Sequence, residues 1–244
     1  MTGMENKVVL ITGASSGIGA ALTRKLAGSG ARLLIGARRT DRIEALAAEL
    51  RDAGGTVESR TLDVTSRDSM NAFATAALDS FGRIDVIINN AGVMPLSPMA
   101  ALKIDEWDRM IDVNIRGVLH GIAAVLPAMS RQGEGQIINV SSIGGLAVSP
   151  TAAVYCATKN AVRAISDGLR QENDSIRVTC VYPGVVESEL AGTITDPVAA
   201  EAMVAYRSIA LKPEAIAAAI AHVIAQPADV DTSEIVVRPA QSRQ

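Results

Sequence analysis

Seven short runs rich in β-branched and other apolar residues alternate with longer stretches of mixed polarity, and this alternation constrains the fold more than any single residue. The runs are KVVLIT (7–12), ARLLIGA (31–37), VESRTLDV (57–64), DVIINNA (85–91), QIINVSS (136–142), IRVTCVYP (176–183) and EIVVRP (234–239). Several are apolar nearly throughout, as strands buried on both faces are. The spacing between them predicts helices at about 18–29, 41–53, 66–80, 104–131, 154–173 and 213–226. Gly30 and Gly54 stand where helices stop, and Pro213 opens the last one. Strand and helix in strict alternation predict an α/β, doubly wound, seven-stranded parallel sheet with helices on both faces. No linker or repeat interrupts it, so residues 1–244 are expected to form a single domain. In such sheets ligands bind beyond the carboxyl ends of the strands.

Composition removes several alternatives. The net charge of −3 and an aromatic content of 2% give no basic surface and no base-stacking platform, so no nucleic-acid partner is expected. The two cysteines, Cys156 and Cys180, have no Cys/His spacing around them that predicts a disulfide framework or a metal site. The opening MTGMENK lacks an apolar signal core, and no apolar run reaches about 18 residues. A cytoplasmic protein with no membrane contact is expected.

Directly after the first run comes GASSGIGAAL. Gly13, Gly17 and Gly19 fall in the turn from strand to helix, where glycine permits a tight turn and close approach of the backbone to a ligand. Ser15, Ser16 and Ile18 fill the same turn. The free N–H groups at the helix start then face an anion. The spacing is G-x-x-x-G-x-G. A glycine-rich turn alone is equally compatible with a tight loop; its place after a strand and before a helix is the context a dinucleotide site requires.

With Thr12 in front, the turn reads TGASSGIG, and the chain here resembles the short-chain dehydrogenase/reductase family, whose dinucleotide-binding domain is a Rossmann fold. NNAG at 89–92 is similar to that family's second motif. Asn114 in DVNIRG, Ser142 in NVSS, and Tyr155 and Lys159 in YCATK match its catalytic tetrad, with Ser142 thirteen residues before Tyr155. Pro183 and Gly184 match a later turn. The resemblance runs from about residue 7 to 239.

Taken alone, a tyrosine and a lysine four positions apart only decorate a helix face. The resemblance makes Tyr155 a general acid/base and has Lys159 bind the nicotinamide ribose. A phenol of pKa ~10 is a poor base at neutral pH. An ammonium one helical turn away favours the phenolate. Ser142 is placed to donate to the substrate oxygen as charge develops there. Ser141 is expected to face away. Asn114 falls in a predicted helix and reads by itself as a tolerated polar residue; its role, a backbone carbonyl holding a proton-relay water, is implied by the family alone. Cys156, His120 and His222 read as packing or surface residues. No G-x-S-x-G elbow supports a hydrolase.

The second strand ends IGARRTD. Ala37 occupies the position where NAD-preferring members carry aspartate, and Arg38 and Arg39 follow. Guanidinium pairs with a 2′-phosphate, so NADP(H) is the expected cofactor. Arg38 is the favoured partner; Arg39 is read rather as the start of the next helix, and Asp41 as an acid at that helix's N-terminus. By resemblance, Asp63 and Val64 contact adenine, Asn90 approaches the adenosine ribose beside Ala91 and Gly92, and Asn89 braces the sheet. Val186 and Ser188 follow Pro183-Gly184 toward the nicotinamide carboxamide.

The connection 185–212 is long enough to be functional, and the resemblance makes it a substrate lid. Met94, Leu146, Val148, Val185 and Tyr206 are the expected walls of a mainly apolar pocket, with Glu187 and Arg207 as its charged candidates. The expected activity is hydride transfer between NADP(H) and a small carbonyl or secondary alcohol, in the manner of carbonyl reductases or 3-hydroxy acid dehydrogenases. Reduction of 3-oxoacyl thioesters, or dinucleotide sensing without turnover, stays open. Family resemblance and the long apolar helices predict a homotetramer.

Overall fold

The computed structural model describes residues 4–242. Seven strands form one parallel sheet: β1 (Val8–Thr12), β2 (Arg32–Ala37), β3 (Thr56–Thr61), β4 (Val86–Asn89), β5 (Gly135–Val140), β6 (Ile176–Pro183) and β7 (Glu234–Val237). Their order is β3-β2-β1-β4-β5-β6-β7. The chain winds outward from β1 through β3, then returns to the other side of β1 at β4. The gap left between the two windings is where a doubly wound sheet binds its ligand.

Alternation along each strand divides the core in two. Val9, Ile11, Leu33, Ile35 and Ile88 face one layer, made by α1 (Gly17–Ala27), α2 (Thr40–Asp52) and α8 (Pro213–Ile224). Val8, Leu10, Leu34, Ile87 and Val178 face the other, made by α3 (Arg67–Phe81), α5 (Gly117–Gln132) and α6 (Ala153–Gln171). Leu22, Leu26, Ile43, Ile220 and Ile224 close the first layer; Phe73, Val125, Met129 and Val162 close the second. Each such side chain contributes about 1.5–3 kcal/mol on full burial. Sheet and helices therefore fix one another.

Three departures from the sequence reading stand out. β3, β4, β5 and β7 stop two or three residues before their apolar runs do, so Asp63, Ala91 and Ser142 lie on loops beyond the strand ends. The expected helix 104–131 is α4 (Ile104–Ile111), a five-residue π-turn (Asp112–Arg116) and α5. The connection 185–212 contains a helix, α7 (Pro197–Tyr206), started by Asp196, whose side chain accepts from Ala199 N–H at 3.0 Å.

The continuous run Ile104–Gln132 is also long and apolar enough, by length and composition, to pass as a membrane span. Val118, Ile122, Val125 and Met129 in this run are buried against the sheet.

Candidate active site

Thr12, the last residue of β1, ties the two windings together. Its hydroxyl accepts from the backbone N–H groups of Asn90 and Ala91, both at 3.0 Å, and donates to the carbonyl of Ile88 at 3.3 Å. The Asn90 amide donates back to the carbonyls of Thr12 (2.9 Å) and Gly13 (3.2 Å). Gly13 sits at φ +68°, and a Cβ there would lie 2.8 Å from Ala91 Cα. Only glycine lets the strand ends approach this closely.

Over this floor opens a cavity of about 980 Å³. Gly13, Ser15, Ser16, Gly17 and Ile18 line it from the β1–α1 turn, and Arg38 and Arg39 from the end of β2. Asp63, Val64, Asn90, Ala91 and Gly92 line it beyond β3 and β4. Ser142, Tyr155 and Lys159 border it from β5 and α6, and Pro183, Gly184, Val186 and Ser188 from the end of β6.

Two expected site residues stand behind this surface. Gly19 does not border the cavity; a Cβ on it would meet the Gly13 carbonyl at 2.4 Å, so its glycine lets α1 pack beneath the loop. Asn114 is buried in the π-turn. Its amide accepts from Val93 N–H (2.9 Å) and donates to the Val93 carbonyl (3.0 Å) and the Thr158 hydroxyl (3.1 Å). Those three bonds hold the loop after β4 against α6, and the irregular turn is what lets the amide face inward. Ser141 donates to the Lys159 carbonyl at 2.8 Å, and Asn89 donates to Asn139 at 2.8 Å; both brace the framework. His120 bonds the Val64 carbonyl at 2.9 Å and His222 contacts Gln226, so neither acts in the cavity. Cys156 is buried in a small cluster and also borders the cavity.

The arginines exchange the weights given them by sequence. Arg38 is exposed at the cavity rim. Arg39 turns inward and donates to the hydroxyls of Ser15 (2.9 Å) and Ser16 (2.7 Å), and it pairs with Glu189 across the cavity. No acid lies in the first turn of α1. A cationic corner therefore sits beside a helix N-terminus, a donor set that fits a phosphorylated dinucleotide.

Tyr155 and Lys159 share one face of α6 and are both buried. The Lys159 ammonium donates to the Val140 carbonyl at 2.9 Å. Burial pushes the Tyr155 phenol up to about 12, while a hydrogen bond from Ser142 pulls the other way. Burial pushes the Lys159 ammonium down to about 8. By the chain's own groups alone, then, the phenol is held as a proton donor. The expected lowering by Lys159 is not what sets the phenol's state: desolvation does, opposed by the Ser142 hydrogen bond.

Of the expected wall residues, Met94, Leu146, Val185 and Tyr206 border the cavity. Val148 is largely exposed and Glu187 pairs with Lys212 at 2.7 Å; neither borders it. Arg207 borders it and donates to the Ser188 carbonyl at 2.9 Å. The segment's ends are joined by bonds from Leu211 N–H to Val185 O (3.0 Å) and Glu187 N–H to Leu211 O (2.9 Å). Sequence reasoning passed over Thr158, whose only signal is its place beside Lys159, and Glu189, whose only signal is an acid after Ser188.

Residues 7–199 match the model of the short chain dehydrogenase family. The chain belongs to this family. It is 47% identical to an uncharacterised oxidoreductase of Staphylococcus saprophyticus, over 98% of both chains. Among solved structures it is similar to an alcohol dehydrogenase of the archaeon Thermococcus sibiricus complexed with 5-hydroxy-NADP (34% identity, TM-score 0.89, covering 98% and 99% of the two chains). It is also similar to a short chain dehydrogenase/reductase of Burkholderia phymatum in complex with NAD (27% identity, TM-score 0.89, covering 97% and 90%). This short chain dehydrogenase is thus an oxidoreductase of a family whose members hold either dinucleotide, and its own residues bear on the choice between them.

Proposed function

We propose that this protein is an NADP(H)-dependent reductase of small ketones or aldehydes, with the reverse oxidation of secondary alcohols, and that residues 185–212 form its substrate lid. The observation that carries this reading is that one cavity joins Ser142, Tyr155 and Lys159 to the cationic corner at Arg38, Arg39, Ser15 and Ser16. The bound nicotinamide supplies or accepts the hydride. Gly13, Ser16, Gly17 and Ile18 would hold its phosphates, Asp63, Val64 and Asn90 its adenosine half, and Pro183, Gly184, Val186 and Ser188 its carboxamide end. Ala91, Gly92 and Lys159 would flank the ribose between them.

Tyr155 delivers its proton to the substrate oxygen as that oxygen gains charge. Ser142 donates a hydrogen bond to the same atom. Lys159 supplies positive charge beside the phenol, and Asn114 fixes the loop and helix between which a proton returns to Tyr155. Met94, Leu146, Val185 and Tyr206 select a substrate that is mainly apolar around its carbonyl. The NADP derivative held by the Thermococcus sibiricus relative at 34% identity supports the cofactor assignment. Exposed Ile104, Ile111 and Leu119 on α4 and α5 give a surface for the proposed homotetramer, which light scattering tests.

The test is a panel of ketones, aldehydes, 3-oxo acids and 3-oxoacyl thioesters assayed with NADPH and with NADH. Turnover of small ketones or aldehydes with NADPH supports the reading. Cofactor binding without consumption across the panel points to a sensing role, and thioester reduction alone moves the substrate class.

A further inference from the structure

The carboxylate of Glu189 reaches from the segment after β6 to the cationic corner on the far side of the cavity. It pairs there with Arg39 and, at 2.7 Å, with Arg42 on the first turn of α2. Arg39 is the same guanidinium that holds the Ser15 and Ser16 hydroxyls. Glu189 itself borders the cavity, one residue after Ser188. An anion supplied by the chain is therefore already seated on the arginine best placed to take an anion from a ligand.

We propose that Glu189 is a cofactor-specificity residue: its carboxylate competes with the 2′-phosphate of NADP(H) for Arg39, and so narrows the preference for NADP(H) over NAD(H). The inference rests on the reading of Arg39 as a phosphate partner. A 2′-phosphate carries close to two negative charges at neutral pH. It reaches Arg39 only by displacing Glu189 onto Arg42 or by sharing the guanidinium with a like charge. NADH brings no phosphate and meets neither cost. Discrimination is a difference of two affinities, so a repulsive group acting on one ligand alone changes it directly. The two arginines hold the Glu189 carboxyl down to about 2, so the competitor is charged at every working pH.

The experiment compares wild type, Glu189→Gln and Arg39→Ala by titration with NADPH, NADH, 2′,5′-ADP and 5′-AMP at fixed ionic strength. Glu187→Gln is the control: it removes one charge from the same segment, but from a pair with Lys212 outside the cavity. An exposed ion pair is worth up to about a fivefold factor, and Glu189 makes two. Glu189→Gln should bind NADPH and 2′,5′-ADP about three- to tenfold more tightly and leave NADH and 5′-AMP unchanged, with Glu187→Gln unchanged for all four. Equal tightening of phosphorylated and unphosphorylated ligands, or weaker NADPH binding, overturns the competition. If Arg39→Ala leaves NADPH affinity intact, the assignment of Arg39 fails first and the inference falls with it.

Discussion

The Lys159 ammonium lies 5.9 Å from the centre of the Tyr155 ring, with both side chains buried on one face of α6. Four residues of helical rise bring them together. Burial then drives each toward its neutral form, the phenol upward to about 12 and the ammonium downward to about 8. A neutral phenol is the form that can donate a proton, which is the role the proposed carbonyl reduction gives Tyr155.

Replacing Tyr155 by Phe removes that proton and little else. General acid/base contributions are about 10²–10⁴-fold. The expected outcome is a loss of kcat of that size in carbonyl reduction, with NADPH affinity by fluorescence titration nearly unchanged. A variant keeping more than about a tenth of wild-type kcat would remove Tyr155 from the role of acid.

Lys159 makes a prediction about stability as well as chemistry. Its folded pKa, about 8, lies below the ordinary 10.5 of the unfolded chain, so the unfolded state binds the proton more tightly. Protonation therefore favours unfolding. The penalty is full below about pH 8 and fades as pH rises toward 10.5. Relative to Lys159→Met, wild type should gain about 2–3 kcal/mol of unfolding free energy between pH 7 and pH 10.5. The rise of the Tyr155 pKa acts in both proteins and cancels in the difference. Urea denaturation at several pH values measures it, and a difference that stays flat with pH would mean the ammonium is not desolvated.

Gly121 offers a case in which two known effects oppose. Alanine at a helix interior is favoured over glycine by up to about 1 kcal/mol. A Cβ at Gly121, however, would lie 2.0 Å from Asn89 Oδ1, and Asn89 is buried and bonded to Asn139. Overpacking of this kind costs about 1–3 kcal/mol, and shifting Asn89 also breaks its bond. Gly121→Ala should therefore lose about 1–3 kcal/mol in urea unfolding. A gain in stability would show that α5 can move away from the sheet at no cost.

The same contrast between pattern and packing explains what the sequence made legible. Strand alternation located the sheet and the glycine loop, because each depends on local spacing, whereas the Ser142–Tyr155–Lys159 group was legible only through the family resemblance. Apolar runs overshot the strand ends because residues such as Leu62 and Val64 are buried whether or not they pair in a ladder. The sequence reading favoured Arg38 over Arg39, but adjacent residues leave a strand end in opposite directions and spacing does not say which one turns to the cavity. The rank was set by the Ser15 and Ser16 hydroxyls and by Glu189, 150 residues away. The π-turn at Asn114 answers to Val93 and Thr158, two partners that no periodicity reveals. Val148 and Glu187 were assigned to the pocket because they are near site residues in sequence, and loop geometry turned both outward.

The cofactor preference itself can be reversed at the end of β2. Wild type should favour NADPH, and Ala37→Asp combined with Arg39→Leu should turn the preference toward NADH. Ala37 is the last residue of β2 and borders the cavity, so a carboxylate there reaches the position of a ribose 2′-hydroxyl. It accepts a hydrogen bond from NADH and repels the phosphate of NADPH. Arg39→Leu removes the guanidinium now bound to Ser15 and Ser16, and Glu189 keeps its pair with Arg42. A charge-assisted contact is worth about 1.5–3 kcal/mol, or roughly ten- to 150-fold. The ratio of kcat/KM for the two cofactors should fall by at least that factor, measured at one ionic strength because exposed charges are screened. The variant carrying Arg38→Leu in place of Arg39→Leu should shift the ratio less, since Arg38 lies exposed at the rim. A wild type that already prefers NADH would show that Arg39 serves only to hold the serine hydroxyls and Glu189.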